Sequence, residues 1–402
     1  MLVVTASWSF ADGTLVEGGV RHVAAWRALV LQRAAHAGLR SDGSYAPVER
    51  IDVVLAGDTL DTLVSRTWRQ GVRPWHEGPR ASGLFARVQR AAVESAAPLL
   101  TILVDWVRHG MPVPAADRRQ RPAGMPVRVP VRVTALAGVG DAWLARGPWP
   151  ADIGRQSDWE AGSVVVRHGG DHDPAAASDG DSRPSCAATL AVDLVVPFAT
   201  LLLEQAPLRR WARGFLTSVA GVRPLDLPGA VARWCVTVDR GARGPVGEAW
   251  RRAVGGWFRA ATMVLDEPTC GDTLARLAAR LERAPMGEPA SVADAEEDLT
   301  PLPQRSPGPG RLLVVGHPPA GVTGQGVICV GRPRPGSCRS GVGLVRGETP
   351  DVVSVAATAA MAGPVTVVCR DAAGRIAWDW LGDEPPLSAP WRVAGPRVVE
   401  AA

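Results

Sequence analysis

Five short apolar runs rich in β-branched residues, "LVVTAS", "IDVVLAG", "VRVTALAG", "SVVVRHG" and "RLLVVGH", each end at a glycine or a small polar residue. They constrain the fold more than any other feature of the chain. Apolar runs of this length are strands buried on both faces, as in a parallel sheet covered by helices, where the loops at the C-terminal strand ends carry the chemistry. Between the first two lies "GVRHVAAWRALVLQRAAHAG", apolar at helical spacing and closed by Gly38, so the chain opens β-α-β. "GLFARVQRAAVESAAPLLTILVDWVRHG" is expected as a further long helical stretch between the second and third strands.

From about Ala187 to Arg283 the pattern is helical almost throughout, without a strand signal of comparable strength. "PMGEPASVADAEEDLTPLPQRSPGPG" is acidic and then Pro/Gly-rich, the composition of a flexible connection. "RLLVVGH" then resumes the sheet, and "PVTVVCRDAAGRIAWDWL" reads as a closing β-hairpin with Ala-Ala-Gly in its turn. The expected organisation is an α/β domain in two parts, residues 1–184 and 311–402. A helical insertion, 185–284, and a linker, 285–310, separate them.

A length of 402 residues fits such a divided domain as well as two or three average ones, and a hydrophobic fraction of 46% is ample for a core. Every basic residue is an arginine, and the arginines are spread along the chain. With one Tyr and five Phe for stacking, no nucleic-acid partner is expected, despite a pI near 9.0. Six cysteines without a CxxC pair argue against a structural zinc or a disulfide framework and read as reduced, mostly buried thiols. "MLVVTASWSF" reads as a first strand rather than a signal peptide. "TLAVDLVVPFATLLLEQ" carries Asp193 and Pro197 and reads as a buried helix, so no membrane span and a cytoplasmic location are expected.

Three strand ends hold residues suited to metal or phosphate chemistry: "GDTLD" from Gly57 to Asp61, "RHGGDHDP" from Arg167 to Pro174, and "VVGHPP" with His317. Alone, Asp58 reads as a turn or cap aspartate. In order and spacing, however, these strand ends resemble those of the calcineurin-like metallophosphoesterases, which carry DxH, GDxxD, GNHD, an HG segment and GHxH. "FADGT", "SDGSYAPVERIDVVLAGDTLD", "RPW" and "GVRPLDLP" are similar to one subgroup of that family. The resemblance covers most of residues 1 to 335. It implies a four-layer β-sandwich flanked by helices, with two ions roughly 3.5–4 Å apart that clamp a phosphoryl group and activate a bridging water. Asp58 takes the place of the bridging carboxylate.

The departures from the family pattern are specific. Ser7 and Ser9 stand where DxH has its two ligands, Val139 and Gly140 where GNHD has its amide ligand and leaving-group imidazole, and Pro319 where GHxH has its second imidazole. One site then retains only Asp58. The other retains Asp58, His168 and His317, a set that suits at most one Mn, Fe or Zn ion and allows for none. Asp61, Asp141, Asp171, His172 and Asp173 are possible accessories, and His168 with Asp171, His172 and Asp173 is the densest group of potential ligands. A solvated loop is the preferred reading for that segment. The histidines at 22, 36, 76 and 109 are expected to be structural or surface residues without partners. "RTWRQGVRPWH" reads as a loop packed by its tryptophans, with a phosphate-recognition role open for Arg66 or Arg73.

The resemblance with these losses implies a pseudoenzyme that binds a phosphorylated small molecule or a protein partner. The alternative is a phosphoester hydrolase with one metal at Asp58, His168 and His317. A nucleic-acid-binding protein is the third candidate and requires a clustered arginine face.

Overall fold

The computed structural model describes residues 1–6, 8–15, 23–40, 42–161, 164–169, 183–219, 222, 224–265, 267–286, 312–315, 327–329, 353–357, 365–370 and 376–381. The architecture is mixed α/β with parallel sheets. Leu2–Ala6 pairs in parallel with Val353–Ala357 on one side and Ile51–Leu55 on the other, followed by Val131–Leu136 and then Gly154–Gln156. A second sheet orders Val327–Cys329, Leu312–Val315 and Val164–Arg167 in parallel, with Asp158–Ala161 antiparallel at its edge. Every residue of Ile51–Leu55 is buried, Asp52 included, as in a strand covered on both faces.

Helix Val23–Ala37 turns Trp26, Val30 and Ala34 into the core of the first sheet. Spacings of four place these residues along one helix face. The expected long helical stretch between the second and third strands is formed by two helices, Pro79–Ser95 and Ala97–His109. Pro98 has no N–H for the Glu94 carbonyl, so the helix ends and restarts at Ala96. An antiparallel hairpin, Met111–Ala116 with Pro122–Val129, was not visible in the pattern, because its four prolines demote both runs as strand signals. The closing hairpin pairs Val365–Arg370 with Ile376–Leu381, and its turn lies outside the described residues.

The described residues from Cys186 to Met286 are mostly helical and enclose their own core. Phe198 lies at its centre, with ring centroids 4.8 Å from Phe215 and 5.0 Å from Trp250, both edge-on. Cys186–Glu204 is long and apolar enough to cross a membrane by length and composition alone, but about two-thirds of its most apolar window is buried inside the protein. The chain within it passes through a π-helical turn, Leu190–Val195, where the Val196 N–H bonds to the Ala191 carbonyl. Pro197 lacks the N–H that would close on the Asp193 carbonyl in an ordinary turn.

That turn presents Asp193 to the strand-end loops. Arg73 Nε donates to Asp193 Oδ1 at 2.5 Å, and Arg73 Nη1 donates to the Trp68 carbonyl at 2.7 Å. Around this pair Trp68, Trp75, Phe85 and Trp143 from the sheet half pack with Ala188 and Val192 from the helical half. The tryptophans of "RTWRQGVRPWH" are therefore packing residues, and Arg73 is a structural latch rather than a ready phosphate ligand. Burial pushes the Asp193 carboxyl up, and Arg73 pulls it back down. Removing one partner of a buried pair leaves an uncompensated charge. Arg73→Ala should lose on the order of 3 kcal/mol in urea unfolding, and Arg73→Ala with Asp193→Leu should recover part of that loss. A double variant as unstable as the sum of the single variants would show that the two residues are not coupled.

Candidate functional site

The site lies where the loops after Ile51–Leu55, Val131–Leu136 and Val164–Arg167 meet. Gly57 and Asp58 follow the first of these strands, both with positive φ, 89° and 51°. A turn of this hand brings the Asp58 side chain back toward the neighbouring loop. Asp58 Oδ1 accepts from the Gly140 N–H at 2.9 Å, and Oδ2 lies 3.1 Å from His168 Nε2. His168 is buried and the Asp58 side chain is 18% exposed.

The second loop returns the favour with its own carboxylate. Asp141, fully buried, accepts from Gly138 N at 2.5 Å, Thr59 N at 2.9 Å and Leu60 N at 3.4 Å. Thr62 adds two donations to the Gly140 carbonyl, from N at 2.9 Å and from Oγ1 at 2.7 Å. Burial first, and then the neighbouring Asp58 charge, push the Asp141 carboxyl up to about 7. Asp61 accepts from the N–H groups of Leu63 and Val64, and burial pushes it up to about 7 against those bonds. The Asp58 and Asp12 charges contribute to that rise. Asp58 is thus both a turn residue and the meeting point of the site.

Close approach explains the glycines. A Cβ on Gly57 would stand 2.2 Å from His168 Cδ2, and one on Gly138 would stand 2.4 Å from both Asp58 N and Oδ1. Ser9, with φ 50°, donates its N–H to the Asp58 carbonyl at 2.8 Å. Val139 packs against the aromatic cluster of Trp68, Trp75 and Trp143, so the position that would hold an amide ligand now serves the core. At Gly140 a Cβ would meet the Leu60 carbonyl at 3.0 Å, which leaves little space for an imidazole without movement of that loop.

Asp58, His168, Asp61, Asp141, Val139, Gly140 and Ser9 are therefore all near this junction, and Asp58 and His168 are in direct contact. Ser7, Asp171, His172, Asp173, His317 and Pro319 lie outside the described residues. Of the histidines expected to lack partners, His76 Nδ1 accepts from Arg73 N at 3.2 Å and His109 Nδ1 lies 2.9 Å from Asp105. His22 is outside the described residues. Asp12 was not singled out in the sequence. It accepts from Thr14 N and Oγ1 and from Ser65 Oγ, tying the first strand-end loop to the segment that follows Asp61. Its signal was the Asp-Gly-Thr of "FADGT", an Asx-turn text.

Among the described residues no three His, Cys, Asp or Glu side chains gather as a metal-holding group. Asp58 and His168 supply two ligands, one fewer than a protein-bound zinc site ordinarily has. The described donor set thus does not fit a binuclear centre, and no chemical step is assigned through a metal. Comparison of the chain with protein-family models, curated proteins and solved structures finds no match.

Two outcomes follow from this geometry. Gly138→Ala should lose on the order of 3 kcal/mol, because the new methyl meets backbone and carboxylate that hold each other in place, and urea unfolding measures it. A loss below about 0.5 kcal/mol, the range of an ordinary surface change, would contradict the close approach. Asp61 titrates near 7 when folded and near the ordinary 3.9 when unfolded, so the folded state binds its proton more tightly. Its contribution to stability is then complete below about pH 4 and is lost as pH rises through 7. Unfolding free energy followed from pH 4 to 7 should decline less steeply in Asp61→Asn than in the unmodified chain. Equal slopes would show that Asp61 is ionised normally.

Proposed function

We propose that this chain has a calcineurin-like metallophosphoesterase fold whose binuclear centre is degenerate, and that it acts as a binding protein for a phosphorylated ligand or a protein partner. The fold reading is supported by the order of the strand-end motifs and by two parallel sheets whose strands Ile51–Leu55 and Val164–Arg167 end against each other, Gly57 facing His168. One observation carries the functional reading. Both oxygens of Asp58, the position of the bridging carboxylate, are engaged by protein groups, the Gly140 N–H and the His168 imidazole.

The group that replaces the leaving-group imidazole, Gly140, has no side chain to give a proton. Positioned acid–base groups contribute typically 10²–10⁴-fold to rate, so hydrolysis in this site is slow on this reading. Backbone geometry supports retention for binding. Two of the three described non-glycine residues with positive φ, Ser9 and Asp58, are bonded to each other here, and strained backbone concentrates at functional sites.

A second reading, a one-metal phosphoester hydrolase, is favoured by the same 3.1 Å contact. Two ligands each about 2.0–2.2 Å from a shared ion stand roughly 3–3.5 Å apart. His317 supplies the third ligand in that case. Metal analysis and hydrolysis assays separate the two readings. The purified protein should hold at most one Mn, Fe or Zn ion per chain, and turnover of p-nitrophenyl phosphate and its diester analogue should be negligible with these metals added. Asp58→Ala should leave that background unchanged. Two tightly held ions, or a robust metal-dependent rate that disappears in Asp58→Ala, would overturn the binding-protein reading.

A further inference from the structure

A cleft of about 590 Å³ opens between residues 13–15, the 3-10 turn Arg66–Gln70 and the corner where helix Val196–Glu204 gives way to helix Arg209–Val219. Arg66, Arg209, Thr14 and Glu204 line it, with Leu15 and Leu203. It is a wide, open depression rather than an enclosed pocket. Charge around it is unbalanced. Glu204 pairs with Arg69 Nη1 at 2.5 Å and reaches Arg66 Nη2 only at 3.5 Å. Arg209 donates through Nε to the Leu203 carbonyl at 3.0 Å, which directs no acid at its terminal nitrogens among the described residues. Among the described residues, three guanidiniums (Arg66, Arg69 and Arg209) and two carboxylates (Glu204 and, behind Thr14, Asp12) stand around it, an excess of one positive charge.

The backbone that carries Arg66 is fixed before any ligand arrives. Arg66 N donates to Thr14 Oγ1 at 3.0 Å, and Thr14 Oγ1 donates in turn to Asp12 at 2.6 Å. Asp12 also accepts from Ser65 Oγ at 2.5 Å, and Ser65 caps the turn that begins at Arg66. The Arg66 side chain is nevertheless 40% exposed, so its planar fork is available to an oxyanion.

From this we infer that the cleft binds the phosphoryl group of an organic phosphomonoester, with Arg66 and Arg209 on the anion and Leu15 and Leu203 beside the organic group. The two arginines offer an oxyanion charge-assisted hydrogen bonds, and the leucines give an apolar group a surface that a free anion would not use. The inference rests on the reading that the chain binds a phosphorylated ligand. It assigns the anion to guanidiniums on the helical side instead of to the Asp58 loop.

Isothermal titration of the full chain with phenyl phosphate and with inorganic phosphate tests it. Phenyl phosphate should bind saturably and several-fold more tightly than inorganic phosphate. The double variant Arg66→Gln, Arg209→Gln should weaken it about tenfold or more, since each removes a charge-assisted hydrogen bond. Arg209→Gln alone should weaken it in the same direction and serves if the double variant does not fold, which its melting temperature without phosphate reports. Loss of binding in Asp58→Ala with full binding in the arginine variants would move the ligand to the strand-end loops, overturning the cleft while sparing the phosphorylated-ligand reading. Equal affinity for both anions would overturn the organic ester as ligand, and absence of saturable binding of either would overturn the cleft together with the reading on which it rests.

Discussion

Two carboxylates exchanged between adjacent strand ends hold this site. Asp58 reaches out of the first loop to the Gly140 N–H of the second, and Asp141 reaches back to the N–H groups of Thr59 and Leu60. Buried N–H groups in an irregular turn need acceptors, and neither loop supplies them from its own backbone alone. The exchange fixes where Asp58 Oδ2 points, and therefore where His168 meets it. It also explains why small residues stand at 57, 138 and 140, since three loops share a space in which an extra methyl collides with backbone or ring.

The helical segment is joined to this arrangement by chemistry of a different kind. Aromatic packing of Trp68, Trp75 and Trp143 against Ala188 and Val192 supplies the apolar area, and the Arg73–Asp193 pair fixes the orientation. A buried ion pair is a weak source of net stability but a strict geometric condition. Next to it, the Arg66 turn meets the end of helix Val196–Glu204 through Glu204. The cleft with unbalanced charge is thus set by the same junction that attaches the helices to the strand ends.

Much of this was readable from the chain because strands buried on both faces leave an unmistakable apolar text, and because Asp58 and His168 each follow such a run directly. Local exceptions to the pattern came from proline. Pro98 divides the expected helical stretch in two, and prolines conceal the hairpin Met111–Ala116 with Pro122–Val129. The long-range polar pairs were not readable for a different reason. Arg73 and Asp193 are 120 positions apart, Arg66 and Glu204 are 138 apart, and a chain with 44 arginines and 40 acids offers no local rule for choosing among them. Asp12 was hidden likewise, because an Asp-Gly-Thr turn looks the same whether or not its carboxylate later receives a serine from another loop.

The central claim is that His168 serves Asp58 as a hydrogen-bonding partner and not as one corner of a working metal centre. Nitrogen-15 NMR of the His168 imidazole, followed as zinc or manganese is added to metal-free protein, tests it most directly, with a His168→Gln sample to assign the signal. The expected result is a ring coupled to a carboxylate whose signal stays unchanged at one equivalent of metal. A stoichiometric shift of Nε2 to a metal-bound value with zinc, or its selective loss to paramagnetic broadening with manganese, would contradict the account.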